Sequence, residues 1–242
     1  MSALPTLATV SDRIGELDWP ATLAQLDAQG SAVLPNLLER RTCEEVVSLY
    51  DREEGFRSRV VMSRHGFGRG EYKYFAYPLP RLVAELRSSL YPRLVDTANR
   101  WNAEMGIATR YPADHADFLN GCHEAGQLRP TPLLLRYGPG DYNCLHQDLY
   151  GEHVFPLQVA VLLSEPGRDF TGGEFVLTEQ RPRMQSRAEV APLRQGDGLV
   201  FAVNQRPVRG TRGSYRVTMR HGVSQLRSGA RHTLGVIFHD AL

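Results

Sequence analysis

Apolar residues in the first half of the chain recur mainly at helical spacing. This pattern predicts helices over residues 19–28, 41–50 and 80–105, and SAVLPNLL at 31–38 predicts a short strand ending in a turn. Between the second and third helices lies Arg57–Tyr77, which we call the basic–aromatic segment. It is predicted to be a short strand leading into a loop rich in glycine, arginine and aromatic residues.

The pattern changes after residue 130 to short β-branched and aromatic runs divided by glycine, proline and charged turns. Strands are predicted over 131–137, 154–164, 174–178, 198–204, 215–224 and 231–239. Many short strands at near-regular spacing are typical of a sandwich or a jelly roll. We therefore predict one mainly β domain over 1–242, in which the helical part (1–130) buttresses a β core (131–242).

Composition and charge narrow the class of protein. With 42% hydrophobic and 23% charged residues, the 242-residue chain is that of a globular protein. It shows neither a membrane-length apolar run nor a secretory leader, which predicts a cytoplasmic protein without a membrane partner. The three cysteines are widely spaced and predict neither a disulfide framework nor a zinc–thiolate site.

The net charge of +1 hides a local imbalance. Eleven arginines lie between Arg181 and Arg231, where Glu189 and Asp197 are the only acids. Such a stretch is compatible with a nucleic-acid partner and equally with a solvated face.

Two histidine–aspartate pairs are candidate metal ligands. His146 and Asp148 are separated by one residue, so in an extended segment both side chains project to the same side. The second pair, His115 and Asp117, lies in a polar stretch without a clear following strand. The first pair follows one apolar strand and leads into another, which places it at the mouth of the predicted sheet and favours it.

A third ligand is predicted from the alternation in SYRVTMRHGV at 214–223. His221 shares the apolar, inward face of this strand, where a histidine is either hydrogen-bonded within the core or bound to a metal. In the next strand, Arg231 and Thr233 point to one face and together are suited to bind a carboxylate. The alternative for Arg231 is a buried structural salt bridge.

Taken together, RYGPGDYNCLHQD, the GGEF at 172–175, the RHG at 220–222 and the R-x-T at 231–233 resemble the iron(II)/2-oxoglutarate dioxygenases of the double-stranded β-helix fold. The resemblance covers about the last half of the chain and implies Fe(II), 2-oxoglutarate and O2 as cofactors. It implies that His146, Asp148 and His221 bind the metal. It also implies that Arg231 and Thr233 bind the distal carboxylate of 2-oxoglutarate, and that Tyr137 contacts the same molecule.

Two branches of this superfamily are similar to different parts of the chain. The LHQD segment resembles the AlkB-type repair dioxygenases, which dealkylate nucleobases. The GGEF and the ten-residue step from His221 to Arg231 resemble prolyl and related protein hydroxylases. The chain departs from the repair enzymes at Leu135, where they carry asparagine, and at Ile237, where they carry a second arginine. It most resembles a bacterial group of predicted nucleic-acid-modifying oxygenases allied to both.

The basic–aromatic segment is the predicted substrate contact, through residues that combine positive charge with stacking surfaces: Arg64, Arg69, Tyr72, Tyr74 and Phe75. The predicted function is repair of alkylated bases in single-stranded or base-flipped DNA. A prolyl, other protein or peptide hydroxylase, an enzyme of small molecules, and a cupin-like binding module without turnover are the alternatives.

Overall fold

The computed structural model describes residues 9–149, 151–211 and 213–242. Its five α-helices are α1 (Val10–Glu16), α2 (Trp19–Gln29), α3 (Arg40–Ser48), α4 (Arg81–Glu104) and α5 (His115–Glu124), with a short 3-10 helix at Met62–Arg64. The strands that precede α5 are β1 (Ser31–Leu34), β2 (Phe56–Val61), β3 (Gly68–Arg69) and β4 (Glu71–Phe75). Those that come after it are β5 (Leu133–Tyr137), β6 (Tyr142–His146), β7 (Leu157–Leu162), β8 (Phe170–Gly172), β9 (Phe175–Gln180), β10 (Arg187–Ala191), β11 (Gly198–Ala202), β12 (Gln205–Gly210), β13 (Gly213–Val223), β14 (Leu226–Gly229) and β15 (Arg231–Val236).

Most strands form two facing antiparallel sheets, and β8 pairs with β14 in a separate two-stranded sheet. The major sheet has the order β1-β11-β7-β15-β5-β4-β2, and the minor sheet has the order β10-β9-β13-β6-β3, with β12 also paired to β13. Their inner faces meet in one apolar cluster, in which the rings of Phe175 and Phe201 lie 5.2 Å apart. The arrangement is the double-stranded β-helix predicted from the sequence.

The helices cover the outer face of the major sheet. On α4, residues three to four positions apart form a buried stripe that includes Leu86, Leu90 and Leu94, each 0% exposed. This stripe packs in the same cluster as the outward-facing Leu134 and Leu234 of the sheet. The predicted helices and the strand after residue 30 are thus confirmed. The sheet is buried on both faces, which explains why β7 is apolar at every position except Gln158.

The basic–aromatic segment differs from the prediction. Much of the predicted loop is strand, because β2 and β4 pair with each other and β4 also pairs with β5. The first part of the chain therefore supplies strands to the sheet as well as helices behind it. Neither strand of this hairpin shows a regular alternation of burial, which hides it in the sequence, and β6, β8, β10, β12 and β14 were missed because they are short or of mixed polarity.

Part of the arginine-rich stretch is structural. Arg206 is 1% exposed and donates to the carboxylate of Glu179 and to two backbone carbonyls of the α2 end. Arg216 donates to the Met105 carbonyl. The other described arginines from 183 to 227 lie on the surface, so the charge imbalance reflects both buried pairing and a basic exterior. Among the described residues, no helix is both long and apolar enough to cross a membrane.

Candidate metal centre and cosubstrate pocket

Two histidines face each other across neighbouring strands of the minor sheet. His146 is the last residue of β6, and the antiparallel register places it directly opposite His221 of β13. Cross-strand pairs of this kind bring side chains into contact, and the two ring centroids lie 4.2 Å apart. The alternation that predicted an inward His221 is confirmed, since His221 is 5% exposed between the buried Met219 and Val223.

Asp148 lies between the two imidazoles. Its two carboxylate oxygens are each 3.4 Å from an Nε2 atom, one of His146 and one of His221. The donor atoms of the three residues all lie within 4.8 Å of one another, close enough to bind one ion. Burial alone would raise the pKa of Asp148, but hydrogen bonding and charge from His146 and His221 lower it well below the usual carboxyl value.

The imidazoles are oriented with Nε2 toward the centre. The Nδ1 atom of His146 lies 2.8 Å from the Cys144 carbonyl, which only a protonated Nδ1 can bond, so Nε2 carries the free lone pair. Burial lowers the pKa of His221, which favours the neutral ring that a metal requires. Two imidazoles and one carboxylate form the facial triad of non-haem iron oxygenases. These residues therefore fit Fe(II).

The rival pair does not form a comparable site. His115 and Asp117 lie on helix α5, where residues two positions apart do not face each other. The His115 ring is buried against Tyr91, and its Nε2 lies 2.9 Å from the Phe238 carbonyl. Burial lowers its pKa to about 4. It is a hydrogen-bonded core histidine, although the sequence placed it in a polar stretch.

A second polar group occupies the major sheet, on strand β15. Arg231 is 1% exposed and donates from Nη1 to the Thr233 hydroxyl at 2.6 Å, so the guanidinium lies beside the threonine. Tyr137 is the direct cross-strand partner of Arg231, and its ring lies 5.6 Å from the guanidinium carbon. The sequence-predicted residues Arg231, Thr233 and Tyr137 are thus brought together.

Arg231 has no counter-ion at close range among the described residues. No carboxylate among the described residues lies within ion-pair distance of it, and its Nε and the Tyr137 hydroxyl are buried without a hydrogen-bond partner in that part of the chain. Burial lowers the pKa of Arg231 to about 10, which leaves it charged at neutral pH. The alternative of a buried structural salt bridge is therefore not observed. A buried cation with free donors fits the carboxylate of a ligand.

One cavity of about 240 Å³ joins the triad to Arg231. Its walls are mostly apolar and include Leu135 and Ile237, the two positions at which the chain departs from the repair enzymes. An apolar cavity with a few convergent polar groups is the usual form of a small-molecule site. The arrangement provides a metal site at one end and a carboxylate-binding cation at the other.

The comparison with known families decides the assignment. A family described as Oxygenase-NA, "Oxygenase, catalysing oxidative methylation of damaged DNA", matches residues 70–241, which contain the triad, Tyr137, Arg231 and Thr233. The chain belongs to this family. It is an oxygenase, and its triad of two histidines and one carboxylate is the kind of site that holds Fe(II) in enzymes that use 2-oxoglutarate and O2. The alternative of a binding module without turnover is not supported.

Two proteins of Mycobacterium tuberculosis are similar to this oxygenase. Each is named an uncharacterized protein, one from strain CDC 1551 / Oshkosh and one from strain ATCC 25618 / H37Rv. Each is 52% identical over 167 residues, which cover 69% of this chain and 72% of the relative.

Solved structures share the fold at low identity. A Pseudomonas putida prolyl-4-hydroxylase has a TM-score of 0.54 at 12% identity and covers 90% of this chain and 96% of its own. A 2OG-Fe(II) oxygenase-family oxidoreductase of Burkholderia pseudomallei has a TM-score of 0.52 at 15% identity and covers 99% and 96%. A Trichoplax adhaerens prolyl hydroxylase in complex with a hypoxia inducible factor peptide fragment has a TM-score of 0.54 at 17% identity and covers 90% and 88%. At this identity the likeness concerns the fold alone.

The GGEF of the oxygenase has a structural role at the cosubstrate pocket. Gly172 and Gly173 adopt positive φ of 70° and 65°, which bends the chain between β8 and β9. A Cβ atom on Gly173 would lie 2.6 Å from the Leu226 side chain and 3.1 Å from Cδ of Arg231. The motif thus lets the backbone approach Arg231 closely. Its role in the structure is therefore the close packing of the backbone around Arg231.

Gly173→Ala is accordingly expected to lower the free energy of unfolding by about 1–2 kcal/mol, because alanine is strained in the left-handed region. It should also weaken 2-oxoglutarate binding by displacing Arg231. Gly121→Ala is the matched control, since Gly121 lies in α5 with no atom within 4 Å of the added Cβ. We expect it to stabilise the protein by up to about 1 kcal/mol. Urea unfolding measures both variants, and equal stability of the two would contradict the assignment.

The predicted substrate residues separate into two groups on strand β4. Tyr72 and Tyr74 line the cavity, with their rings in edge contact at 5.3 Å. Phe75 is 1% exposed and stacks on Phe56 in the core behind the sheet, because successive residues of a strand face opposite sides. The prediction that Phe75 contacts substrate is therefore wrong. Arg64 and Arg69 are exposed on either side of Phe67, which itself lines the cavity.

Gln158 also lines the cavity and was not among the residues predicted from the sequence. In the sequence, Gln158 is recognisable as the one amide within the apolar run VFPLQVAVLL. A polar side chain inside a strand that is buried on both faces requires a partner.

Proposed function

We propose that this oxygenase removes alkyl groups from damaged bases in single-stranded or base-flipped DNA. His146, Asp148 and His221 hold Fe(II), and Arg231 with Thr233 holds the distal carboxylate of 2-oxoglutarate beside Tyr137. Tyr72 and Tyr74 contact the base, and Arg64 and Arg69 contact the DNA backbone. The observation that carries the proposal is the position of the basic–aromatic segment at the mouth of the metal cavity in a member of a family that acts on damaged DNA.

When bound, Fe(II) and 2-oxoglutarate supply the chemistry that oxidises a carbon–hydrogen bond with O2, while the 2-oxoglutarate is converted to succinate and CO2. The chain's own residues bind, orient and shield. The guanidinium of Arg231 and the hydroxyl of Thr233 fix one end of 2-oxoglutarate, so that its other end faces the triad. The apolar walls formed by residues such as Leu133, Phe175 and Phe201 exclude water from this space.

The fate of the hydroxylated product differs between the two substrate classes. An N-alkyl carbon that gains a hydroxyl group becomes a hemiaminal, which releases an aldehyde and leaves the unmodified base. A hydroxylated carbon of a peptide would remain an alcohol. Aldehyde release therefore separates the two substrate classes that the sequence motifs left open.

The segment that contacts DNA in this proposal is tied to the metal centre by backbone pairing. Strand β3 pairs with β6, the strand that ends at His146, with Gly68 opposite Asn143 and Arg69 opposite Tyr142. The Phe67 and Tyr142 side chains are 47% and 37% exposed at this edge, and the His65 ring stacks on Phe67. Exposed rings between cations form a surface suited to unpaired bases and phosphates.

The direct test supplies the Fe(II)-loaded protein with 2-oxoglutarate and an oligonucleotide that carries N-methylated bases. Formaldehyde and succinate are expected in equal amounts, and more from single strands than from duplexes. Proline-containing peptides are assayed in parallel by mass spectrometry for a gain of one oxygen atom. Turnover of the peptides without turnover of any alkylated oligonucleotide would replace this proposal with protein hydroxylation.

Salt dependence tests the roles of individual residues in the segment. Binding of a single strand should weaken as salt rises, because bound phosphates release counterions. Removing one phosphate contact by Arg64→Ala or Arg69→Ala should reduce the slope of log K against log salt by roughly 0.7. Tyr74→Ala should weaken binding by about 1–3 kcal/mol with the slope preserved, because it removes stacking.

The matched control is Arg41→Ala, which removes an exposed arginine of α3 outside the cavity lining. We expect this variant to bind with the slope of the parent protein. Fluorescence anisotropy with a labelled oligonucleotide at several salt concentrations measures all four variants. An equal slope change in Arg41→Ala and Arg64→Ala would show that the charge effect is global and not local to the segment.

A further inference from the structure

Gln158 is a buried amide without a protein partner among the described residues. It lies in β7, is 3% exposed, and has buried neighbours throughout the strand. Its Nε2 forms no hydrogen bond with any described residue, although the side chain lines the metal cavity. A buried donor without an acceptor costs free energy, and native proteins rarely retain one without a reason. The missing acceptor is therefore expected to come from a molecule bound in the cavity.

The sheet register places Gln158 at the metal end of the cavity. It is the cross-strand partner of Phe201, whose ring lies 4.6 Å from the ring of His221. On its other side, the register that pairs Val236 with Val159 brings Ile237 next to Gln158. Gln158 is thus separated from the triad by one aromatic ring.

Arg231 marks the opposite end. Its guanidinium lies beside Thr233, and Thr233 pairs with Leu162 in the same register. Ile237 lies four positions after Thr233, just beyond the end of β15, which corresponds to about 13 Å in an extended strand. A five-carbon dicarboxylic acid with a hydrogen bond at each end fits this separation. Because Arg231 takes the distal carboxylate, the carboxylate next to the 2-oxo group lies toward the metal and Gln158.

Two other side chains at this end already use donors within the protein. The Nε2 of Gln147 donates to the Asn204 side chain at 2.7 Å and to the Met219 carbonyl at 2.8 Å. The Nδ1 of His146 is bonded to Cys144, and Ile237 offers no donor. We propose that the Gln158 carboxamide donates a hydrogen bond to the metal-end carboxylate of 2-oxoglutarate. Gln158 is then a cosubstrate-positioning residue, and its role rests on the proposed placement of 2-oxoglutarate by Arg231.

The test measures binding without turnover, by titration calorimetry of the Mn(II)-loaded protein. Two ligands are compared: 2-oxoglutarate, and 2-oxopentanoate, which keeps the 2-oxo acid end and lacks the distal carboxylate. Gln158→Met removes the donor at nearly constant length and should weaken both ligands by the same factor, about 10- to 100-fold. Arg231→Met should weaken 2-oxoglutarate strongly and leave 2-oxopentanoate unchanged.

Two further variants complete the design. Gln158→Glu should weaken both ligands more than Gln158→Met does, because it places a second carboxylate beside the first. Gln25→Met makes the same change at an exposed position of α2 outside the cavity lining and should leave both affinities unchanged. Mn(II) affinity, measured in the same titrations, should be that of the parent protein in all variants.

Unchanged affinity for both ligands in Gln158→Met would overturn the proposal and leave Gln158 available to the substrate. Loss of 2-oxoglutarate binding alone, with 2-oxopentanoate unaffected, would also overturn it, because the contact would then be to the distal carboxylate. Failure of the proposed function is distinguishable: it would appear as unchanged 2-oxoglutarate binding in Arg231→Met. If Arg231→Met weakens 2-oxoglutarate binding as expected and Gln158→Met changes neither ligand affinity, only the role of Gln158 is rejected.

Discussion

Asp148→Ala is expected to abolish iron-dependent turnover, with succinate formation reduced about a thousandfold or more, equivalent to at least about 4 kcal/mol. The carboxylate is the one anionic donor of the triad, and both imidazoles are oriented by it at 3.4 Å. Its loss leaves two neighbouring imidazoles with no charge to balance a divalent cation. His146→Ala and His221→Ala should have similar effects. Metal binding is measured by Mn(II) calorimetry, and turnover by succinate release with O2 present.

Asp117→Ala is the matched control, because it alters the other histidine–aspartate pair of the chain. Asp117 is exposed on α5, so its removal should change neither metal affinity nor succinate release. His115→Ala is a poorer control, because it removes a buried ring that packs on Tyr91 and should lower stability. Full activity in folded Asp148→Ala, or loss of activity in Asp117→Ala alone, would show that the metal site had been assigned to the wrong pair.

Arg231→Met should raise the KM for 2-oxoglutarate roughly thirtyfold to several thousandfold. This corresponds to a loss of about 2–5 kcal/mol of binding free energy, and Fe(II) affinity should be nearly unchanged. The buried guanidinium is the charged partner of the distal carboxylate, and methionine fills similar volume without charge. Thr233→Ala should be milder, since it removes one neutral hydrogen bond. Arg231→Lys should restore the charge but not the bidentate geometry, and so recover only part of the affinity.

Thermal stability distinguishes a role of Arg231 in binding 2-oxoglutarate from a purely structural role. Without a counter-ion in the described part of the chain, Arg231 is a buried charge that costs free energy in the absence of ligand. The Arg231→Met protein without 2-oxoglutarate should therefore unfold at the same temperature as the parent or higher. It should also lose the thermal stabilisation that 2-oxoglutarate gives the parent. A lower melting temperature together with an unchanged KM would mean that Arg231 is a structural residue.

The mixed resemblance to repair enzymes and hydroxylases has a structural explanation. The hydroxylase-like GGEF allows close approach of the backbone to Arg231, and the ten-residue step from His221 to Arg231 connects the metal and cosubstrate strands. Both features concern the strands that carry the candidate metal and cosubstrate residues, and both resembling branches use these cofactors. In the proposed function, the residues that contact the substrate lie elsewhere, on β3, β4 and the end of β6.

The sequence by itself determined the chemistry of this protein. Alternation along β13 and β15 is a local property, because successive side chains of a strand face opposite sides, so His221, Arg231 and Thr233 could be placed inward without knowing the fold. The spacing of His146 and Asp148 by one residue is also a local property, and it predicted that both side chains project to the same side of an extended segment. The long helix over Arg81–Glu104 was equally visible, because its buried stripe repeats over many turns.

Only the tertiary structure decided which strands are neighbours and therefore which side chains meet. The pairing of β6 with β13 brings together His146 and His221, and the pairing of β5 with β15 brings Tyr137 to Arg231. The same non-local pairing makes β4 a strand of the major sheet, which turns Tyr72 and Tyr74 into the cavity and Phe75 into the core. Gln158 shows the limit most clearly. In the sequence, its amide is a single polar residue in an apolar run. In the fold, its strand partner Phe201 and its neighbour Ile237, which are distant in sequence, place it beside the metal end of the cavity.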